Sequence, residues 1–312
     1  PVYYTVTKNL AVCYDYMGKL TEAEKYYLSS LEIFNANSIK NPNEFIEING
    51  SLAAVYKKAG KFSLSEKYYL LAIQKIKDQK KSSPGEYAFY LNGLGGLYHS
   101  MNNYEKAGEC YNESKDIRLK MFGDSSIEYA QSLNNLALLY DDLGKPNESE
   151  NFYKKSLEIW LKEYGKNSPI YAITLNNLAV LIAKMGRYDE AMEYFWESLN
   201  IRKKVFGEES LSYAYSLNNS AALFKNLGYI KEAEALLKKS IHLYEDKLGK
   251  EHPDYITALS NLASIYDSGE KFGEAEKIYL EALESREKLF GIKSADYANS
   301  LHNIGILYVR MK

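Results

Sequence analysis

The stretch Tyr171–Gly207, YAITLNNLAVLIAKMGRYDEAMEYFWESLNIRKKVFG, decides the fold, because its pattern returns when the frame is moved by 42 residues in either direction. Tyr129, Tyr171, Tyr213, Tyr255 and Tyr297 open successive copies. Leu133, Leu175, Leu217, Leu259 and Leu301 follow at one fixed step, and Asn135, Asn177, Asn219, Asn261 and Asn303 at another. Gly144, Gly186 and Gly228 mark one turn; Gly123, Gly165, Gly207, Gly249 and Gly291 mark a second. A fixed period of this size is the signature of a stacked repeat array and not of one globular core.

Each copy divides into two helices. The first is expected from about Tyr171 to Lys184, with apolar Leu175, Leu178, Ala179, Leu181 and Ile182 spaced by three and four. Gly186 suits the left-handed conformation that ends a helix. The second helix is expected from about Tyr188 to Val205, burying Ala191, Tyr194, Phe195, Ser198, Leu199 and Ile201. Arg202, Lys203 and Lys204 read as charge placed at the carbonyl end of its dipole. Ser168 is the expected N-cap of the first helix, with Pro169 at its first position, and His252-Pro253 repeats that arrangement. Ala137, Ala179, Ala221 and Ala263 on first helices, and Ala107, Ala191, Ala233 and Ala275 on second helices, let the pair approach closely.

Units begin near 3, 45, 87, 129, 171, 213 and 255, and residues 297–312 form a half repeat. The reading is therefore all-α: seven helix pairs and one terminal helix, forming one array across 1–312. Ile304, Leu307 and Tyr308 would meet a following second helix, so the chain reads as part of a longer protein. The early units deviate most. Residues 77–85, Lys-Asp-Gln-Lys-Lys-Ser-Ser-Pro-Gly, replace a Gly-terminated turn with a polar linker. The third unit carries Gly93, Gly95, Gly96 and Gly108 inside helices, each costing roughly 0.5–1 kcal/mol relative to Ala. It is expected to be the softest unit.

The net charge of −2 gives no basic footprint for nucleic acid. No apolar run reaches the length of a membrane span. Cys13 and Cys110 occupy positions held elsewhere by apolar residues, and both read as small core residues in a reducing, cytoplasmic setting. The four histidines form no metal-binding pair, no Gly-rich phosphate loop is present, and no cofactor is expected. The residues point away from an enzyme. The 30 tyrosines recur at repeat positions as amphipathic packing residues, and Trp160 and Trp196 read the same way.

The series Leu-Asn-Asn-Leu-Ala-x-Leu-Tyr, then Gly-x-Tyr-x-Glu-Ala, then Ser-Leu-x-Ile-Arg-x-Lys-x-Phe-Gly, resembles a tetratricopeptide repeat. The 42-residue spacing, with its longer second helix, is similar to the kinesin light chain branch. The resemblance covers Tyr3 to Lys312. It implies a right-handed superhelix whose first helices line a concave groove that takes extended peptides. Carried over, the groove positions are a ladder of Asn92, Asn134, Asn176 and Asn218, whose amides can donate to and accept from a peptide backbone. The second Asn of each pair is expected between units. Lys57, Lys58, Lys184 and Lys225 follow one turn on, but Asp15, Asp141, Asp142 and Asp267 hold equivalent places, so the groove reads as mixed in charge. Leu138 and Val180, with Gly96 and Ala222, would floor a pocket walled by Phe89, Ile173 and Tyr215. The Lys–Asn carboxylate clamp of chaperone-tail binders is absent from these positions. The implied partners are proteins carrying extended motifs, such as kinesin heavy chain or cargo adaptors. A regulatory array beside an effector domain and a self-association module are the alternatives.

Overall fold

The computed structural model describes residues 2–36, 41–79, 83–292 and 294–312. Among them are fifteen α-helices and no strand. In sequence order they are α1 (Val2–Tyr16), α2 (Leu20–Ala36), α3 (Pro42–Lys58), α4 (Phe62–Lys77), α5 (Pro84–Ser100), α6 (Tyr104–Phe122), α7 (Ile127–Asp142), α8 (Pro146–Tyr164), α9 (Pro169–Lys184), α10 (Tyr188–Phe206), α11 (Leu211–Asn226), α12 (Ile230–Leu248), α13 (Pro253–Ser268), α14 (Phe272–Phe290) and α15 (Ala295–Arg310). The chain divides into two compact units, Pro1–Ile159 and Trp160–Lys312. Lys80, Lys81 and Ser82 of the expected linker lie outside the described residues.

Helix boundaries follow local chemistry. Ser126, Ser168, Ser210 and Ser294 each accept the backbone N–H of the tyrosine three residues on, satisfying a donor that the first turn leaves free. His252 does this through Nδ1, accepting from Asp254. The turn inside each pair needs a left-handed residue. Gly18, Gly60, Gly144, Gly186 and Gly228 supply it at φ between 68° and 81°, whereas Asn102 and Glu270 hold the same turn at 57° and 58°.

Two kinds of buried hydrogen bond tie the elements together. Ser114, Ser156, Ser198 and Ser240, on second helices, donate to the carbonyls of Ala88, Ala130, Ala172 and Ala214 on first helices at 2.7–3.1 Å. Where the close-approach position of the second helix holds Ser instead of Ala, Ser65 and Ser149 donate to Ala53 and Ala137. Arginine forms the second kind. Arg118, Arg202 and Arg286 recur every 84 residues and are buried. Arg118 donates to the Glu128 carbonyl and Ser132, Arg202 to the Ser212 carbonyl, and Arg286 to Ser300. Each therefore bridges the end of a second helix to the start of the next first helix. In the alternate repeats Trp160 and Tyr244 fill this position, also buried. Arg202 is thus no exposed dipole charge. Burial lowers its pKa, and its guanidinium lies 5.4 Å from the Tyr215 ring centre.

The helix glycines of α3 and α5 have partners. A Cβ on Gly50 would stand 2.1 Å from the Tyr90 ring, one on Gly93 2.8 Å from Tyr69, and one on Gly95 2.7 Å from Tyr111. Tyrosine rings press directly onto helix backbone there, as they could not over Ala. Three other tyrosines are tied at their tips: Tyr98, Tyr266 and Tyr308 donate to Glu66, Glu234 and Glu276 of the preceding repeat.

Three expectations need correction. Cys13 is exposed, while Cys110 is buried with Leu136 and Leu139. The equivalents of Cys13, such as Leu139, are covered by the helix pair before them, and none of the described residues covers α1 in that way. Ile304 and Leu307 do not face outward but pack back on Ala275 and Tyr279, whereas Tyr308 is exposed as expected, with Leu301, Ile306 and Val309. Trp196 is 43% exposed, touching Phe224 edge-on, unlike the fully buried Trp160.

Candidate functional site

First helices of successive repeats touch each other directly: α3 with α5 and α5 with α7 in one unit, α9 with α11 and α11 with α13 in the other. In each unit they form an inner layer, and one register recurs among its polar residues. A side chain meets the residue 43 positions earlier, one repeat plus one. In the first unit Asn135 Nδ2 donates to Asn92 Oδ1 at 2.8 Å, and in the second Asn261 Nδ2 donates to Asn218 Oδ1 at 3.0 Å. Two turns on, titratable side chains keep the same register. Lys58 pairs with Asp15 at 2.7 Å, Asp142 with His99 at 2.8 Å, and Arg310 with Asp267 at 2.7 Å. The mixed charge expected from sequence includes a second tier of inter-repeat pairs; of the second Asn residues, Asn135 bonds to the preceding repeat as expected, whereas Asn219 bonds within its own.

The four ladder residues do not share one environment. Asn92, Asn134 and Asn218 are half-buried, and the carbonyls of Asn92 and Asn218 already accept from a neighbouring Asn. Asn176 is 1% exposed, and neither amide atom has a hydrogen-bond partner among the described residues. Asn219, which the register rule would bring to Asn176, instead accepts from Asn218 at 3.4 Å. Lys225 is half-buried and donates to Ser264 at 2.9 Å; burial lowers its pKa, against the opposing field of Asp267. Lys184 is exposed.

A cavity opens on the first helices of each unit. In the second unit Val180, Lys184, Asn219 and Ala222 border a small one of about 150 Å³, which brings together two predicted site residues. In the first unit a larger one, about 380 Å³, is lined by Asp15, Glu47, Ser51, Tyr69, Phe89, Tyr90 and Asn92. Leu138, 37% exposed, borders neither. Phe89, Ile173 and Tyr215, the expected walls, are exposed; Phe89 lines the larger of these two cavities, and Ile173 and Tyr215 line neither. The sequence reading missed Glu47 and the larger cavity. The signal was present: Gly50, Ser51 and Gly93 stand where other repeats carry Asn.

Helix pairs repeating every 42 residues, with an inner layer of first helices stitched by amides and ion pairs, define an α-helical solenoid repeat protein. The chain belongs to the tetratricopeptide repeat family: the family model matches residues 86–162, 130–204, 170–246 and 212–288, and a second model of the repeat matches 9–37. A comparison with curated proteins returned no sequence match. Among solved structures the fold is similar to BtubC (BKLC) from P. vanneervenii, at 24% identity, TM-score 0.63, over 75% of this chain and 94% of that one. It is also similar to a kinesin light chain protein of Podosopora anserina with nearly identical TPR-like repeats, at 21% identity, TM-score 0.56, over 66% and 97%. A Rap protein complexed with competence and sporulation factor matches at 14% identity, TM-score 0.68, over 100% and 87%. The resemblance to kinesin light chain repeats thus holds at the level of fold. Among the described residues no helix is long and apolar enough to cross a membrane.

Proposed function

We propose that this protein is an interaction scaffold that binds an extended segment of a partner protein along the layer of first helices, as a kinesin-light-chain-like adaptor without chemistry of its own. The observation that carries the reading is the coincidence, within each unit, of half-buried amides on the first helices with a cavity beside them. Amides offer donors and acceptors to any extended backbone, and cavities between them select side chains. The contacts proposed for a ligand are Asn92, Asn134 and Leu138 in the first unit, and Val180, Lys184, Asn218 and Lys225 in the second. Candidate partners are a motor heavy chain or cargo adaptors in a reducing cytoplasm, the setting that two free cysteines suit. A second reading, a sensor array that regulates an attached effector domain, draws support from the Rap complex, which matches across the whole of this chain.

Fluorescence anisotropy with a labelled acidic peptide containing Trp tests the first reading. Saturable binding is expected, weakened about tenfold, or ~1.4 kcal/mol, by Asn134→Ala/Lys184→Ala. An unmodified chain that binds neither this peptide nor mixed-sequence peptides would exclude the groove as a peptide site.

A further inference from the structure

The larger cavity departs from the rest of the layer in both shape and charge. At the ladder positions of α3 and α5, Gly50, Ser51 and Gly93 replace the amides found in later repeats. The space is taken partly by two tyrosines that lie over the bare backbone, Tyr90 on Gly50 and Tyr69 on Gly93. What remains is a cavity of about 380 Å³, within the range of ligand pockets. Three aromatic rings line it, and Phe89 among them is 63% exposed. The titratable carboxylates in the lining are Asp15 and Glu47, and no Lys or Arg lines it.

Each carboxylate is held only by a pair at the rim, Lys58 to Asp15 at 2.7 Å and Lys8 to Glu47 at 2.8 Å. Each pair joins a half-exposed partner, Glu47 or Lys58, to a mostly buried one, Lys8 or Asp15, and a cation entering the cavity has to take the lysine's place at its carboxylate. Burial chiefly, then Glu86 and Glu47, raises the Tyr90 hydroxyl, and Asp15 and Glu47 add to the rise at Tyr27. Lys57, one turn along α3, extends over Gly96 and does not line the cavity.

We infer that this cavity is a specificity pocket for an arginine side chain of the bound segment, its guanidinium stacked on Phe89 and held by Glu47 and Asp15. A planar cation satisfies both halves of the lining at once, since the ring face attracts it and a carboxylate accepts its fork of donors. Asn92, at the cavity edge, is placed for the adjoining peptide backbone. The inference rests on the groove reading above and adds to it a residue type and a place.

The test uses fluorescent decapeptide mixtures with one central position fixed as Arg, Lys, Gln or Glu and the others randomised. The expected result is at least about tenfold tighter binding of the Arg mixture than of the Gln and Glu mixtures. Phe89→Ala and Glu47→Gln, both at exposed side chains, should each erase that preference, whereas Lys184→Ala should leave it intact. Equal binding of all four mixtures would overturn the arginine pocket while leaving the groove reading standing. An Arg preference that survives Phe89→Ala/Glu47→Gln would place the selectivity elsewhere and overturn it too. Failure of every mixture to bind would remove both.

Discussion

Glu270 holds φ at 58° in a turn where five other repeats place glycine. For an L-residue with a long side chain the left-handed region costs roughly 1–2 kcal/mol. Part of that is offset because Glu restricts the unfolded chain more than Gly does, by roughly 0.4–1 kcal/mol. Glu270→Gly is therefore expected to stabilise the protein by about 0.5–1 kcal/mol, read as a higher urea midpoint. Asn102, at 57°, belongs to a residue type that tolerates this region, so Asn102→Gly should shift the midpoint much less. Equal shifts would show that backbone strain does not separate the two turns. Residue identity was legible here, since the glycine period marks the turn in the sequence. Residue environment was not always so. Asn92, Asn176 and Asn218 share one sequence position, yet two accept from a neighbour and the third is buried without a partner. That difference arises from which way Asn219 turns, and no spacing rule encodes it.

At the scale of a helix, glycine content alone predicted softness in the third unit, and the packing gives those glycines a second meaning. Gly50 and Gly95 are seats for tyrosine rings, whereas Gly108 has only Leu139 nearby, 3.5 Å from where a Cβ would stand. The same substitution should therefore change sign along the chain. Gly50→Ala places a methyl 2.1 Å from the Tyr90 ring and should destabilise by about 1–3 kcal/mol through overpacking. Gly108→Ala meets an ordinary contact and should stabilise by about 0.5–1 kcal/mol through helix propensity. Thermal unfolding of the two variants decides between the views; stabilisation by both would mean that the tyrosine seats do not constrain α3. Helix existence, order and caps were legible because periodicity and Ser-Pro or Ser-x starts are local signals. The ring-on-glycine contacts were not, since Gly50 and Tyr90 sit 40 positions apart and no local pattern links them.

Across the whole molecule, buried tyrosine links stability to alkaline pH. Burial pushes the hydroxyls of Tyr69 and Tyr244 up to about 12 and raises those of Tyr56, Tyr90, Tyr98 and Tyr111. A raised acid stays neutral longer when folded than when unfolded. Its contribution is complete below the ordinary value of about 10 and is lost as pH rises through the folded value. Denaturant midpoints should hold steady up to about pH 9.5 and fall steeply above 10, in step with tyrosinate absorbance on unfolding. A midpoint flat to pH 11 would contradict this. The repeat count and the fold were legible because the period of 42 runs through the chain, whereas the cavity in the first unit depends on what the repeats lack. The arginine bridges carry one more consequence. Because Arg118, Arg202 and Arg286 alternate with Trp160 and Tyr244, neighbouring repeats are not interchangeable. The serine partners Ser132 and Ser300, and Ser216 in the equivalent place, recur at the same 84-residue spacing. A gene rearrangement that removed one repeat would set a guanidinium's joint against an aromatic's, while one that removed or copied two would rejoin like to like. From Arg118 to Arg286, therefore, the block that can be copied or lost without mismatching a joint is the pair of repeats; Phe34, in the arginine position of the first repeat, lies outside that alternation.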